Sequence, residues 1–186
     1  PEWQENGASN WNGGGMTFHH GLGYGIADAH AAVRLAETWD LQQTQSNLTE
    51  TSATWNYTDA SIPSSGTVSS SIDISTDIEI EHVLVYMDIS HAKAGDLVVS
   101  LVSPDGTESV LVDRIENGDF TTMLGVYSGF FFDFSSVAHM GEMSAGTWTL
   151  EIEDAASGNA GTLNEWSIAF TGNSAASDDT YYYTED

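Results

Sequence analysis

The chain has 186 residues and no cysteine, and its 28 acidic residues stand against three bases, for a formal net charge of −25. This length provides one ordinary domain, or one domain with a fragment of another, large enough to be stable without disulfides. The charge repels phosphate backbones and anionic bilayers, which argues against nucleic-acid and membrane partners. No apolar run approaches a membrane span, and no secretory leader pattern is visible at residue 1.

Residues 1–25 are rich in Gly, Asn and Trp and carry the adjacent pair His19 and His20, a composition suited to an irregular loop. Asp28 then offers a helix N-cap, and Ala29, Ala32, Val33 and Ala36 fall on one stripe at helical spacing. Trp39 closes that pattern. Residues 41–65 are polar, rich in Thr, Ser, Asn and Gln, and read as a linker with one short strand at 55–57. From Val68 the period becomes two, with Val68, Ser70, Ile72 and Ile74 on one face. Residues 78–90 form a long strand with Val83, Val85, Met87 and Ile89 facing inward. Residues 96–112 form a hairpin whose Ser103-Pro104-Asp105-Gly106 places Pro and Gly where a type I turn prefers them. Later strands are expected at 129–134, 146–154 and 163–172, the last with Trp166, Ile168 and Phe170 alternating. About eight antiparallel strands between turn signals predict a mainly β, jelly-roll-like sandwich preceded by one α-helix. After Gly172 the composition is that of a tail or a linker to a further module.

Several motifs occur here in a family's order. The stretches "IEHVLVYMDISHAKAGDLVVSLVSPDGTESVLV", "FDFSSVAHMGEMSAGTWTLEIED" and "GNAGTLNEWSIAFTG" together resemble the P domain of kexin- and furin-like proprotein convertases, also found in bacterial subtilisin-type proteases. Met140 departs from the pattern, standing where the family commonly has Trp. The front end, "HHGLGYGIADAHAAVRLAETW", resembles the last turn and helix of a subtilisin-like catalytic domain, with Gly23, Gly25, Asp28 and Ala29 on its pattern. The resemblance implies a catalytic-domain remnant at 1–40, a linker at 41–65, a P domain at 66–173 and a tail at 174–186.

What chemistry could such a chain carry? The resemblance places the catalytic Asp, His and Ser upstream of His19, and no Gly-Thr-Ser nucleophile signature occurs in the sequence. There is no H-E-x-x-H pattern and no cysteine for zinc. His139 falls on the family's Ala-His pair, which resembles a structural element, and His19 and His20 read as loop or packing residues. Calcium is the expected cofactor, because it takes six to eight hard oxygens from turns rich in carboxylates and carbonyls. Asp88, Asp96 and Asp154 stand at strand ends, Glu142 follows the Ala-His-x-Gly segment, and all four lie in family-like motifs. These four are the candidate ligands, against the plainer reading that each caps a turn. Asn47 and Asn56 match short glycosylation sequons that read as accidental.

The resemblance thus implies a monomeric auxiliary domain of a secreted, bacterial, calcium-dependent serine endopeptidase, with the catalytic domain of the same polypeptide as its partner. The alternative is a free-standing β-sandwich that binds a protein or glycan surface, which the fold alone would also permit.

Overall fold

A computed structural model describes residues 13–16, 18–37, 48–114 and 130–174. The elements run α1 (Ala29–Ala36), β1 (Thr49–Glu50), β2 (Thr54–Ile62), β3 (Gly66–Ile74), β4 (Ile78–His91), a 3-10 turn (Ala94–Asp96), β5 (Leu97–Val102), β6 (Glu108–Asp113), β7 (Phe130–Ser136), β8 (Gly146–Asp154) and β9 (Gly161–Ser174). The described strands build two antiparallel sheets. One has the order β1-β9-β4-β7, with β2 sharing the β1 edge of β9; the other has the order β3-β8-β5-β6. The expected mainly β sandwich with one short helix is what the chain forms.

The inner faces come from the period-two segments. Val83, Val85, Met87, Ile89, Trp166, Ile168 and Phe170 from the first sheet meet Ile72, Leu97, Val99, Leu101, Trp148, Leu150 and Ile152 from the second, all buried in one core. Two hydrogen-bonded tryptophans anchor it. Trp166 Nε1 donates to Ser70 Oγ at 3.0 Å, from β9 in one sheet to β3 in the other, and Trp148 Nε1 donates to the Ser144 carbonyl at 2.9 Å. A buried indole N–H needs such an acceptor, so each ring is fixed in orientation as well as in place.

The stretch read as a linker differs from expectation. Its residues 49–62 form β1 and β2, and β2 pairs with β9 from Thr54↔Ile168 to Ile62↔Gly161. Ile62 lies fully inside the core. Thr54 and Ser61, two of the polar residues that suggested a linker, are exposed on this edge strand, where polarity costs little. Asn56, part of a sequon, donates from its side chain to Ser70 Oγ and the Ser71 carbonyl, so its amide is committed to the fold.

Two local expectations hold. Gly106 N donates to the Ser103 carbonyl at 3.0 Å, closing the turn predicted at 103–106. Asp28 Oδ1 accepts from the backbone N–H groups of His30 and Ala31, capping α1.

Candidate functional site

The segment ahead of α1 is laid across one end of the sandwich. Gly14 lies against the turn at 140–141 so closely that a Cβ there would sit 2.5 Å from the Met140 carbonyl oxygen and 2.6 Å from the Gly141 carbonyl carbon. Neither backbone atom can give way, so the contact requires glycine. Farther along, His20 Nε2 accepts the backbone N–H of Val110 in β6 at 2.9 Å, and the Tyr24 hydroxyl donates to the Val137 carbonyl just after β7. Phe18 braces both rings edge-on, with centroids 5.3 Å away in each case. Accepting through Nε2 requires His20 to be deprotonated there. Burial, foremost, holds its imidazole below the ordinary histidine range, against the raising effect of Glu108, and the positive charges of His19 and His139 would add to the lowering.

Beneath this strap lies a group of carboxylates. Glu142 is 1% exposed, and neither of its carboxylate oxygens has a hydrogen-bond partner among the described residues. Its nearest basic group is His139, with Nδ1 at 3.5 Å from Glu142 Oε2 but not hydrogen-bonded to it. His139 is itself buried and meets the Trp148 ring edge-on at 4.9 Å. Asp105, from the Ser103–Gly106 turn, approaches from the other side. A Cβ on Gly13 would lie 2.7 Å from Asp105 Oδ2 and 2.9 Å from Glu142 Cδ, so both carboxyl groups border one point on the strap. Burial, and then the charge of Glu142, raise the Asp105 carboxyl above its ordinary range. The neighbouring Glu142 makes ionisation of Asp105 less favourable unless a cation stands between them.

The four candidate calcium ligands fall in three places. Asp96 and Asp154 come together: Leu97 pairs with Asp154 across β5 and β8, and Ala155 N donates to the Asp96 carbonyl. There Asp154 is already engaged, since its Oδ1 accepts from Ala156 N at 3.1 Å and its Oδ2 faces His91 Nε2 at 3.4 Å. His91 Nδ1 accepts from Lys93 N, which leaves the ring proton on Nε2, toward that carboxylate. Glu142 lies beyond Gly146, the other end of β8, and Gly146 is itself eight residues or about 27 Å along the strand from Asp154. Asp88 is on the outer face of the other sheet, where Oδ1 accepts from Asn164 Nδ2. Among the described residues no three His, Asp or Glu side chains are grouped to hold one ion.

Residues 80–170 match the family described as proprotein convertase P-domain. Proprotein convertase subtilisin/kexin type 6 of Homo sapiens is 33% identical over 184 residues, and neuroendocrine convertase 2 of Homo sapiens 30% over 176; each match covers 89% of this chain. The chain belongs to the proprotein convertase P-domain family.

Among solved structures, the serine protease of Aeromonas sobria in complex with its chaperone is similar at a TM-score of 0.75 and 25% identity, over 87% of this chain and 32% of that one. The chain spans 18% and 26% of the length of the two convertases. The matches at 89% of the chain extend well outside residues 80–170, so the likeness takes in sequence flanking the P-domain core. The likeness supports a P domain that follows a subtilisin-like catalytic domain. The Ala-His-x-Gly-Glu segment of the P domain, legible in the sequence, supplies His139 and Glu142 to the group under the strap. Asp105 was missed, because its turn explained it fully. Gly14 and His20 were read as loop, and no local pattern announces contacts made some 90 or more residues away.

Proposed function

We propose that this chain is the auxiliary part of a secreted, calcium-dependent subtilisin/kexin-like serine endopeptidase, and that its P domain supports the folding and stability of the catalytic domain to which α1 belongs. The observation that carries this reading is the state of α1. Its stripe faces outward: Ala29, Ala32, Val33 and Ala36 are all exposed, Val33 at 63%, and Ile26 just before the helix is fully exposed. Yet the strap leading into it is fixed to the P domain by Gly14, His20 and Tyr24. An eight-residue helix with an uncovered apolar face is not stable by itself in water. Such a face is suited to a larger body, held in place by the strap. The P domain then acts as a fixed platform at the end of the catalytic domain, and the reaction belongs to residues upstream. No residue of this chain serves as nucleophile, and the chain acts as a monomer.

Calcium is assigned to the strap site. Asp105 and Glu142 supply hard carboxylate oxygens, and the two unpartnered oxygens of Glu142 are what a cation would satisfy. A cation bound there would balance the charge of the two carboxylates, so cation binding and strap docking would reinforce one another. Asp88, Asp96 and Asp154 then serve as structural carboxylates.

Two measurements test these readings. Deleting residues 48–174 from the parent polypeptide should abolish the yield of protein labelled by an active-site serine reagent; undiminished labelling would refute the auxiliary role. For calcium, saturation a hundredfold above the dissociation constant contributes about 2.7 kcal/mol. The melting midpoint of this chain should therefore rise by about 5–10 °C over that in excess chelator. Glu142→Gln and Asp105→Asn should remove the rise, whereas Asp96→Asn and Asp88→Asn should keep it. Equal melting in calcium and chelator, or loss of the rise with Asp96→Asn, would refute the assignment.

A further inference from the structure

The joint between the strap and the sandwich is rich in methionine sulfur. The chain has no cysteine and five methionines, so oxidation at sulfur falls on methionine alone. Met87 is completely buried in the core, and Met123 lies outside the described residues. The other three stand where the strap crosses the turn at 140–141: Met16 on the strap, Met140 in the turn and Met143 just after it. Met16 and Met140 are half-buried and Met143 is 37% exposed, so a small oxidant reaches this group before Met87.

Met16 is the one whose side chain clamps the strap. A Cβ on Gly141 would lie 2.8 Å from Met16 Cε and 3.4 Å from both Gly14 Cα and the Gly14 carbonyl oxygen. The methyl end of Met16 and the backbone of Gly14 thus close over the same bare α-carbon, whose φ of +82° itself favours glycine. A thioether suits that place because it is flexible and apolar. A sulfoxide does not, since oxidation puts a strong acceptor on the atom bonded to that methyl. The amides at the turn are already committed: Met140, Gly141 and Glu142 donate to the carbonyls of Val137, Ile80 and His139. The carboxylates of Asp105 and Glu142 border the strap at Gly13 and repel the partial negative charge of a sulfoxide oxygen. An acceptor left unmatched in such a joint is costly.

We propose that Met16 is a redox latch: oxidation of its sulfur by hydrogen peroxide undocks the strap, and reduction restores the contact. In the step, a sulfur lone pair attacks one oxygen of the peroxide, a sulfur–oxygen bond forms and the O–O bond breaks. The proton on the transferred oxygen passes to the departing hydroxide, which leaves as water. Sulfur loses two electrons and the peroxide gains them. Undocking separates His20 from Val110 and Tyr24 from Val137, the contacts that fix the segment leading to α1. The latch rests on the strap geometry alone. Its further consequence, a loosened platform for a catalytic domain, rests on the auxiliary role proposed above.

The test uses the 186-residue chain in buffer above the histidine range, so that His20 stays neutral. Hydrogen peroxide is the probe, and peptide mass spectrometry measures oxidation at each methionine. Conversion of Met16 should quicken exchange of the Val110 amide about tenfold, with unchanged far-ultraviolet circular dichroism. Methionine sulfoxide reductases for both epimers should reverse the change. Met16→Leu, close in volume, should dock normally and lose the response although Met140 and Met143 still oxidise. The pair Met140→Leu with Met143→Leu should keep it. A response that persists in Met16→Leu, or is lost in the Met140/Met143 pair, would overturn the proposal. So would an unchanged Val110 amide with Met16 fully converted. Should Met16→Leu itself leave the strap loose, the reductases decide, and fast exchange that outlasts reduction of Met16 overturns the latch. None of these readouts depends on a catalytic domain, so the latch and the auxiliary role fail separately.

Discussion

Trp166→Ala probes the sandwich where its two sheets are joined. The ring is completely buried, and its Nε1 crosses from β9 to Ser70 on β3. A buried tryptophan removes about 200 Å² from water. At ~25 cal/mol per Å² that is about 5 kcal/mol, in line with the roughly 3–5 kcal/mol that truncating a large aromatic costs once partial collapse of the cavity is allowed. Domains of this kind have about 5–15 kcal/mol in all, so the variant should lose a large share of its stability. Its midpoint should fall by about 6–20 °C if it folds at all. Far-ultraviolet circular dichroism through a urea titration and a thermal scan measures both quantities without depending on the other tryptophans. A cycle of Trp166→Phe and Ser70→Ala isolates the hydrogen bond, whose coupling should be about 0.5–1.5 kcal/mol. Ser70 also accepts from Asn56, so Ser70→Ala by itself should cost more than the coupling. A Trp166→Ala protein melting within about 2 °C of the parent would refute the placement of this ring between the sheets.

The strap yields two further predictions. Gly14→Ala places a methyl against backbone at 140–141, and should detach the strap while leaving the core intact. Amide exchange at Val110 should quicken with little change in global melting; an unchanged Val110 amide would show that the contact does not hold the strap. Acid should do the same through His20. Its folded-state affinity for a proton is below that of the unfolded chain, so its contribution to docking is complete above the ordinary histidine pKa and is lost as pH falls through that range toward the lowered value. The Val110 amide should therefore lose protection as the pH falls below about 6.5, and His20→Gln should remove this dependence; a pH-independent amide in the parent would contradict the His20 contact.

The sequence displays the sandwich most clearly where one face of a strand is dry. The alternations in 78–90 and 163–172 place Val83, Met87, Trp166 and Phe170 inward, and all four are buried. β2 was harder to see because Thr54, Asn56 and Ser61 give it a linker's composition, and its pairing with β9 depends on residues a hundred positions away. The candidate site was half visible. His139 and Glu142 share a four-residue motif and meet one another, but the strap and Asp105 reach them through tertiary packing alone. Asp154 was legible as an acid at a strand end, and its engagement with His91 was not, since that pair joins positions 63 apart in the chain.

In the proposed auxiliary role, α1 faces a catalytic domain and is carried to it by the P domain. Hydrogen exchange of the Ala29–Ala36 amides, measured on this chain and on the parent polypeptide with its upstream sequence, tests it most directly. In the isolated chain these amides should exchange among the fastest of the described residues, while those of β4 and β5 exchange slowest. With the upstream sequence present, the helix amides should slow by at least about a hundredfold, while β4 and β5 change little. Helix amides that exchange equally fast in both proteins would contradict the claim.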